Sequence, residues 1–294
     1  MAPVIQSARP HERDSSAVWR RGRRPANLRA MLQFISQGQR LAYDDIAPEG
    51  TGRGTVALVH GFASNRTENW RRLGWYAAFS RAGFRIVALD LRGHGQSDKP
   101  HDPQLYQREA LASDILALLD AAKVPSCILM GYSLGAHLSL AAALAAPERI
   151  DKLILGGVGG RLMAPPPPPP AMSLGAALLI EDPSGITDPI QQGFRRFADA
   201  QGDDRAALAA CSQGVAMGRG APDLGHLTTP TLVAAGANDS LAGDPADLAA
   251  HIKDARAVAL PGCDHFSAIP HALFRAAVFD FLDDFDAGDD FVFE

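Results

Sequence analysis

Short, continuous apolar runs alternate with amphipathic stretches along the middle of the chain. The runs are Thr55-Val-Ala-Leu-Val-His60, Arg85-Ile-Val-Ala-Leu-Asp90, Ser126-Cys-Ile-Leu-Met-Gly131, Lys152-Leu-Ile-Leu155, Thr231-Leu-Val-Ala-Ala-Gly236 and Ala257-Val-Ala-Leu260. Most lack the strict alternation of a strand with one wet face, so they read as strands buried on both sides. Between them, Trp70, Leu73 and Ala77 fall on one helical face ahead of a stop at Gly83. Leu111, Ile115, Leu118 and Leu119 repeat at the same spacing, as do Leu273, Ala277 and Phe281. Strand–helix–strand repetition specifies an α/β fold: a mostly parallel sheet with helices on both faces.

Residues 156–225 break the alternation. Six prolines, Pro165 to Pro170, must run extended, and an apolar stretch from Ala171 to Ile180 follows. Helical patterns then cover Pro189–Ala200 and Asp203–Gly218. A helical insertion between two strands of such a sheet covers the rim where the strand ends meet, so 156–225 reads as a lid. The core is then 31–155 and 226–294. Residues 1–30 carry seven arginines and no hydrophobic period, and read as a disordered basic extension, with Met31 an alternative start. The last residues are acidic.

Composition narrows the function classes. The chain has 294 residues, 47% hydrophobic and 21% charged, which excludes bulk disorder. A formal charge of −5 gives no basic field for nucleic acid. Cys127, Cys211 and Cys263 are too scattered for a disulfide framework or a zinc knuckle, and the histidines show no metal-ligand spacing. The longest apolar runs are far short of a membrane span, and no apolar segment follows the basic start as in a secretory signal. A cytoplasmic, small-molecule role is expected, with no nucleic-acid or membrane partner; the oligomeric state is left open.

The sharpest chemical signal is Gly131-Tyr-Ser133-Leu-Gly135, between the strand ending at Met130 and the small-residue helix Ala136–Ala146. A serine becomes a nucleophile only when exposed beside a base, and a strained strand-to-helix turn exposes it. The glycines leave room for that turn, and the helix start offers free N–H groups to an oxyanion.

With this motif the chain, from Leu32 to Phe285, resembles the α/β-hydrolase fold superfamily. His60-Gly61-Phe62 stands where that family has its oxyanion loop, and Asp90-Leu-Arg92-Gly-His94-Gly-Gln-Ser97 looks like the loop after its next strand. Gly236-Ala-Asn-Asp239 and Leu260-Pro-Gly262-Cys-Asp-His265-Phe follow the last two strands, where the family places its acid and its histidine. The order Ser133, Asp239, His265 is the hydrolase order. The resemblance implies Ser133 as nucleophile, His265 as base and Asp239 as its orienting acid, with backbone N–H groups of Phe62 and Leu134 as the oxyanion hole. It implies substrate contacts at His60, Gly61, Tyr132 and Phe266, and neither metal nor organic cofactor.

Other roles for these residues stay open. Asp239 also suits a loop cap, and Asp264 is a rival acid, although neighbours on one loop seldom face each other. His94, Asp90 and Arg92 read as loop-tying residues. His137, one turn after Ser133, departs from the family's small residue there and reads as space-filling or substrate-contacting. Met163, Met172, Leu178, Leu179, Ile180, Phe194, Phe197 and Met217 supply apolar surface to the insertion, of which a few would shape an acyl pocket. Arg195 and Arg196 suit either a substrate carboxylate or a wet helix face.

Epoxide hydrolases and haloalkane dehalogenases of this fold need Asp where Ser133 stands. Serine therefore implies acyl transfer, and a carboxylic ester with an apolar acyl group is the expected substrate. An enol-lactone or a carbon–carbon bond of a ring-cleavage product is the alternative. A ligand receptor on the same fold, non-catalytic or single-turnover, is the reading from a different class.

Overall fold

A computed structural model describes residues 32–165, 170–215 and 222–286. The basic extension 1–30 with Met31, most of the Pro165–Pro170 run, Met217 and the acidic tail beyond Asp286 lie outside the described residues.

Eight strands form one sheet: β1 (Leu32–Ser36), β2 (Gln39–Ile46), β3 (Thr55–Val59), β4 (Arg85–Leu89), β5 (Cys127–Tyr132), β6 (Ile150–Gly156), β7 (Thr231–Gly236) and β8 (Ala255–Leu260). Their spatial order is β1-β2-β4-β3-β5-β6-β7-β8. All pairings from β4 through β8 are parallel, and β1 and β2 are antiparallel additions at one edge. The apolar runs form the parallel strands; β5 and β7 are buried along their whole length.

The β1–β2 hairpin lies beyond the six strands expected from the runs. Its two-residue turn, Gln37-Gly38, has positive φ at both positions, as the tight hairpin turn requires. Across β2 and β4, Arg85 holds Asp45 through two guanidinium nitrogens at 2.9 Å.

Helices cover both faces. Helix α1 is Trp75–Arg81, α2 Arg108–Ala121 and α3 Leu134–Ala145. Next come α4 (Leu174–Leu179), α5 (Pro189–Gln201), α6 (Arg205–Gly214), α7 (Pro245–Ala249) and α8 (Ala272–Asp286). One face buries Leu111, Ile115, Leu118 and Leu119 of α2 with Leu138 of α3. The other buries Trp75 and Phe79 of α1 against Phe274, Val278 and Phe281 of α8.

Two helical faces differ from the sequence expectation. Gly74, at φ 80°, separates α1 from a wide turn at Thr67–Arg71, so Trp70 and Ala77 do not share one helix. Ala77 is exposed while Trp75, Ala78 and Phe79 are buried. On α8, Leu273 is 50% exposed and Phe274 fully buried. Two registers with the same spacing compete there, and the one carrying Phe274 and Val278 buries more apolar area.

The segment between β6 and β7 holds α4, α5 and α6. Leu178, Phe194, Ala198, Leu208 and Ala209 form a small apolar cluster of their own, joined to the sheet domain through Ala63 and Phe62. Asn65 and Gln201 tie the two together by a side-chain hydrogen bond of 2.9 Å. Among the described residues no helix is long and apolar enough to cross a membrane.

Sheet order places the site. Strand β3 has β4 on one side and β5 on the other, so the loops leaving β3 and β5 diverge and open a crevice beyond their carboxyl ends. Gly61 and Phe62 follow β3, and Ser133 follows β5.

Candidate active site

Ser133 sits between β5 and α3 with φ 53° and ψ −116°, a conformation that non-glycine residues avoid. The turn fits because Gly131 and Gly135 lack side chains. A methyl on Gly135 would collide with the carbonyls of Val59 and His60, and one on Gly131 with the backbone of Gly135. Leu134 opens α3, so its N–H has no carbonyl one turn back.

His265 and Asp239 come from the loops after β8 and β7. These loops are zipped together: Ala237 N–H donates to Leu260 O and Asn238 N–H to Cys263 O. Asp239 Oδ1 accepts from the N–H groups of Leu241 and Ala242 at 3.0 Å, which fixes the carboxylate. Its Oδ2 lies 2.7 Å from His265 Nδ1, and His265 Nε2 lies 2.8 Å from Ser133 Oγ. Hydroxyl, imidazole and carboxylate thus form one hydrogen-bonded line, with Asp239 and His265 both buried. Asp264 stays apart. Its carboxylate is held by the N–H groups of Phe266 and Ser267 and by the Ser267 hydroxyl, which keeps it below its ordinary range.

A cavity of about 860 Å³ opens over Ser133 and His265. Gly61, Tyr132 and Phe266, three of the four expected substrate contacts, line it together with Phe62. Phe62, Phe194 and Phe266 make an aromatic arc, with ring centroids 5.5 Å apart at each of the two contacts through Phe194. Of the apolar residues expected from the 156–225 segment, Phe194 and Phe197 reach the cavity wall. Leu178 is buried among the helices instead, and Leu179 is 51% exposed. Pro189 and Ile190 contribute wall that the sequence reading missed.

His60 is a correction. It is fully buried and away from the cavity wall. Its Nε2 accepts from Leu91 N–H at 2.9 Å, so the proton is on Nδ1, which donates to Gly61 O at 2.8 Å. Burial lowers its pKa to about 4, so the ring is neutral. His60 therefore braces the loop that carries Gly61 and Phe62. A residue's place in a motif does not say which way its ring points.

The loop after β4 is tied in the same manner. Asp90 binds the backbone N–H and the guanidinium of Arg66 and accepts from Gln96 N–H. Arg92 and Asp114 form an ion pair at 2.8 Å, both almost fully buried. His94 donates through Nδ1 to Arg92 O and stacks its edge near Phe62. His137 lines a separate groove with Leu140, Leu144 and Leu162, not the cavity over Ser133.

Arg195 and Arg196 part company. Arg195 is buried, bonded to Asp199 and to the carbonyls of Ile180 and Ala177. Arg196 is exposed and lines the cavity. Among the described residues no group of three or more His, Cys, Asp or Glu is placed to hold a metal ion.

Comparison with known proteins agrees with this architecture. Residues 54–185 match the family model of the alpha/beta hydrolase fold. A 2-hydroxy-6-oxononadienedioate/2-hydroxy-6-oxononatrienedioate hydrolase of Paraburkholderia xenovorans (strain LB400) is 30% identical over 273 residues, 82% of this chain and 90% of that protein. The chain belongs to the alpha/beta hydrolase fold family. Another member, epoxide hydrolase 4 of Homo sapiens, is 32% identical over 124 residues, 42% of this chain; the match spans 33% of that protein's length. Among solved structures, a hydrolase from Pseudomonas aeruginosa PA01 superposes with a TM-score of 0.66 at 27% identity, covering 86% of this chain and 98% of that one.

Two features of the site carry no signal of their own in the family pattern. Tyr132 not only lines the cavity but donates its hydroxyl to His265 O. Asn69 lines it too, on the wide turn Thr67–Arg71.

Proposed function

We propose that this chain is a serine hydrolase of carboxylic esters that works through an acyl-enzyme. The observation that carries this reading is the line Ser133 Oγ, His265 Nε2, His265 Nδ1, Asp239 Oδ2, with separations of 2.8 and 2.7 Å at its two hydrogen bonds. Ser133 attacks the carbonyl carbon as His265 takes its proton. His265 then gives that proton to the leaving oxygen, and Asp239 holds the imidazole in the tautomer that accepts at Nε2. The N–H groups of Phe62 and Leu134 receive the oxyanion, each worth about 3 kcal/mol of barrier. Water repeats the sequence to release the acid. No step calls for a metal or an organic cofactor.

The segment 156–225 acts as a lid over this chemistry. Its Ile190, Phe194 and Phe197 join Phe62, Leu73 and Leu241 in an apolar wall suited to a small-molecule acyl chain. The epoxide-hydrolase reading is disfavoured by Ser133, because an alkyl-enzyme ester needs a carboxylate nucleophile.

A second reading is hydrolysis of an enol-lactone or of a carbon–carbon bond in a ring-cleavage product. Arg196 on the cavity wall favours it, since among the described residues it is the Lys or Arg that lines the cavity and would meet a substrate carboxylate. The name of the Paraburkholderia relative, a dienedioate hydrolase, points the same way. A receptor on this fold is the outcome if the serine is not activated.

The test is covalent labelling by a fluorophosphonate followed by a hydrolysis panel. Labelling of the wild type, lost in Ser133→Ala, with turnover of p-nitrophenyl esters is expected. Labelling with turnover confined to lactones or ring-cleavage products selects the second reading. No labelling overturns both.

A further inference from the structure

Asn69 has two amide ends in different situations. Its Oδ1 accepts from Gly61 N–H at 3.1 Å. Because a backbone N–H only donates, this bond fixes which end of the amide is oxygen, and the orientation does not rest on a choice between the two. The other end, Nδ2, is buried and has no hydrogen-bond partner. Asn69 as a whole is 7% exposed and lines the cavity over Ser133.

Buried donors are nearly always satisfied, so an orphan asks for an account. Trp70 Nε1, Arg92 Nε and Ser139 Oγ are also unpartnered, but none of these residues lines the cavity. Among the described residues, Asn69 is where an unpartnered buried side-chain donor and the cavity wall coincide. It is also beside the reacting centre. A methyl built on Gly61 would lie 3.5 Å from Ser133 Cβ and 3.7 Å from Asn69 Oδ1, so one glycine separates the amide from the serine. The local sequence holds it there: Asn65 Oδ1 caps the turn by accepting from the N–H groups of Thr67 and Glu68.

The geometry points to Asn69 as a substrate-positioning residue that donates its Nδ2 hydrogen to an acceptor oxygen carried by the acyl group next to its reacting carbonyl. The preferred substrate class is then an ester with an ether, hydroxyl or carbonyl oxygen at that position rather than a plain alkyl chain. This rests on the serine-hydrolase reading. Its other end serves the same task, because the bond to Gly61 N–H sets the loop that carries Phe62.

The test compares two isosteric substrates, p-nitrophenyl methoxyacetate and p-nitrophenyl butyrate, with the full chain. Each kcat/KM is divided by the ester's own hydroxide-catalysed rate, which removes intrinsic reactivity. Wild type should prefer the methoxyacetate about tenfold, the size of one hydrogen bond. Asn69→Asp keeps an acceptor for Gly61 N–H but loses the donor, and should abolish that preference. Its new charge affects both esters, so the ratio is the readout. Asn69→Ala should lose the preference and also slow both esters. A wild type without preference overturns the proposal whether or not the variants fold, and so does an Asn69→Asp that keeps it. In both cases fluorophosphonate labelling of Ser133 leaves the serine-hydrolase reading standing. Absence of labelling removes that reading and this one together.

Discussion

The Tyr132 hydroxyl donates to the backbone carbonyl of His265 at 2.6 Å. Tyr132 is the last residue of β5, directly before Ser133, and His265 lies on the loop after β8. The bond therefore ties the nucleophile's strand to the base's loop across 133 positions of sequence. Burial raises the phenol above its ordinary range, so it stays protonated and able to donate. Gly156 and Gly157 pack against the ring, where a methyl on either would press on it.

Tyr132→Phe should keep that packing and remove the bond. A buried carbonyl left unpaired costs about 1–3 kcal/mol, and the loop carrying His265 loses a tether. We expect a lower melting temperature by calorimetry and a kcat reduced by roughly three- to tenfold. An unchanged melting temperature with unchanged kcat would show that the zipped β7–β8 loops alone hold His265.

The two acids near His265 should respond very differently. Asp239→Asn retains an oxygen for the N–H groups of Leu241 and Ala242, so the fold should survive. The imidazole would be held in the wrong tautomer, and kcat should fall about 10³- to 10⁴-fold. Asp264→Asn leaves the His265–Asp239 bond intact and should change kcat by less than about threefold. Steady-state kinetics on the two variants decide it; a larger loss in the second would reassign the acid.

What could be read beforehand followed from how local each signal is. Ser133 announces itself because two glycines, a strand and a helix surround it within a few residues. Five of the six parallel strands were legible because two-sided burial demands continuous Val, Ile, Leu and Ala; β8 is the exception, an edge strand with an apolar run of which only Leu260 is buried. Strand β2, with Gln39, Arg40, Asp44 and Asp45, sits near an edge and keeps polar residues, so its pattern is weak. Its turn uses Gln37 where Asn or Asp would advertise positive φ. Asn69 and His60 were misread or missed because their roles depend on which atom faces which. Asn69 acts on Gly61, eight positions away, through a wide turn that no helical period describes.

Arg196 offers a charge test of the second reading. It is exposed at the wall, so its attraction for a carboxylate is screened and modest. Arg196→Gln should raise KM for the p-nitrophenyl monoester of a dicarboxylic acid by about three- to tenfold and leave p-nitrophenyl butyrate unchanged. Added salt should shrink the wild-type advantage. Equal effects on both esters would mean that Arg196 only shapes the wall.

Stability should fall in mild acid for a reason located in His60 and His94. Burial lowers their pKa values to about 4 and about 3, while in the unfolded chain each is near the ordinary 6.5. Between pH 6.5 and about 4 the unfolded state binds protons that the folded state refuses. Stability therefore drops as pH falls, by up to about 1.4 kcal/mol per pH unit for each ring. Asp203 works in the opposite sense: burial raises it to about 6, so it favours the fold more as pH falls toward its unfolded value of 3.8. Asp90, also raised by burial, adds to that opposition. The difference between variants isolates the histidine contribution. His94→Asn keeps a donor for Arg92 O, removes one titrating ring, and should flatten the slope of stability against pH between 6.5 and 4. Urea unfolding at several pH values measures it. A slope that does not change would mean that His94 is charged in the fold, which its buried edge against Phe62 and its contact with the His60 ring argue against.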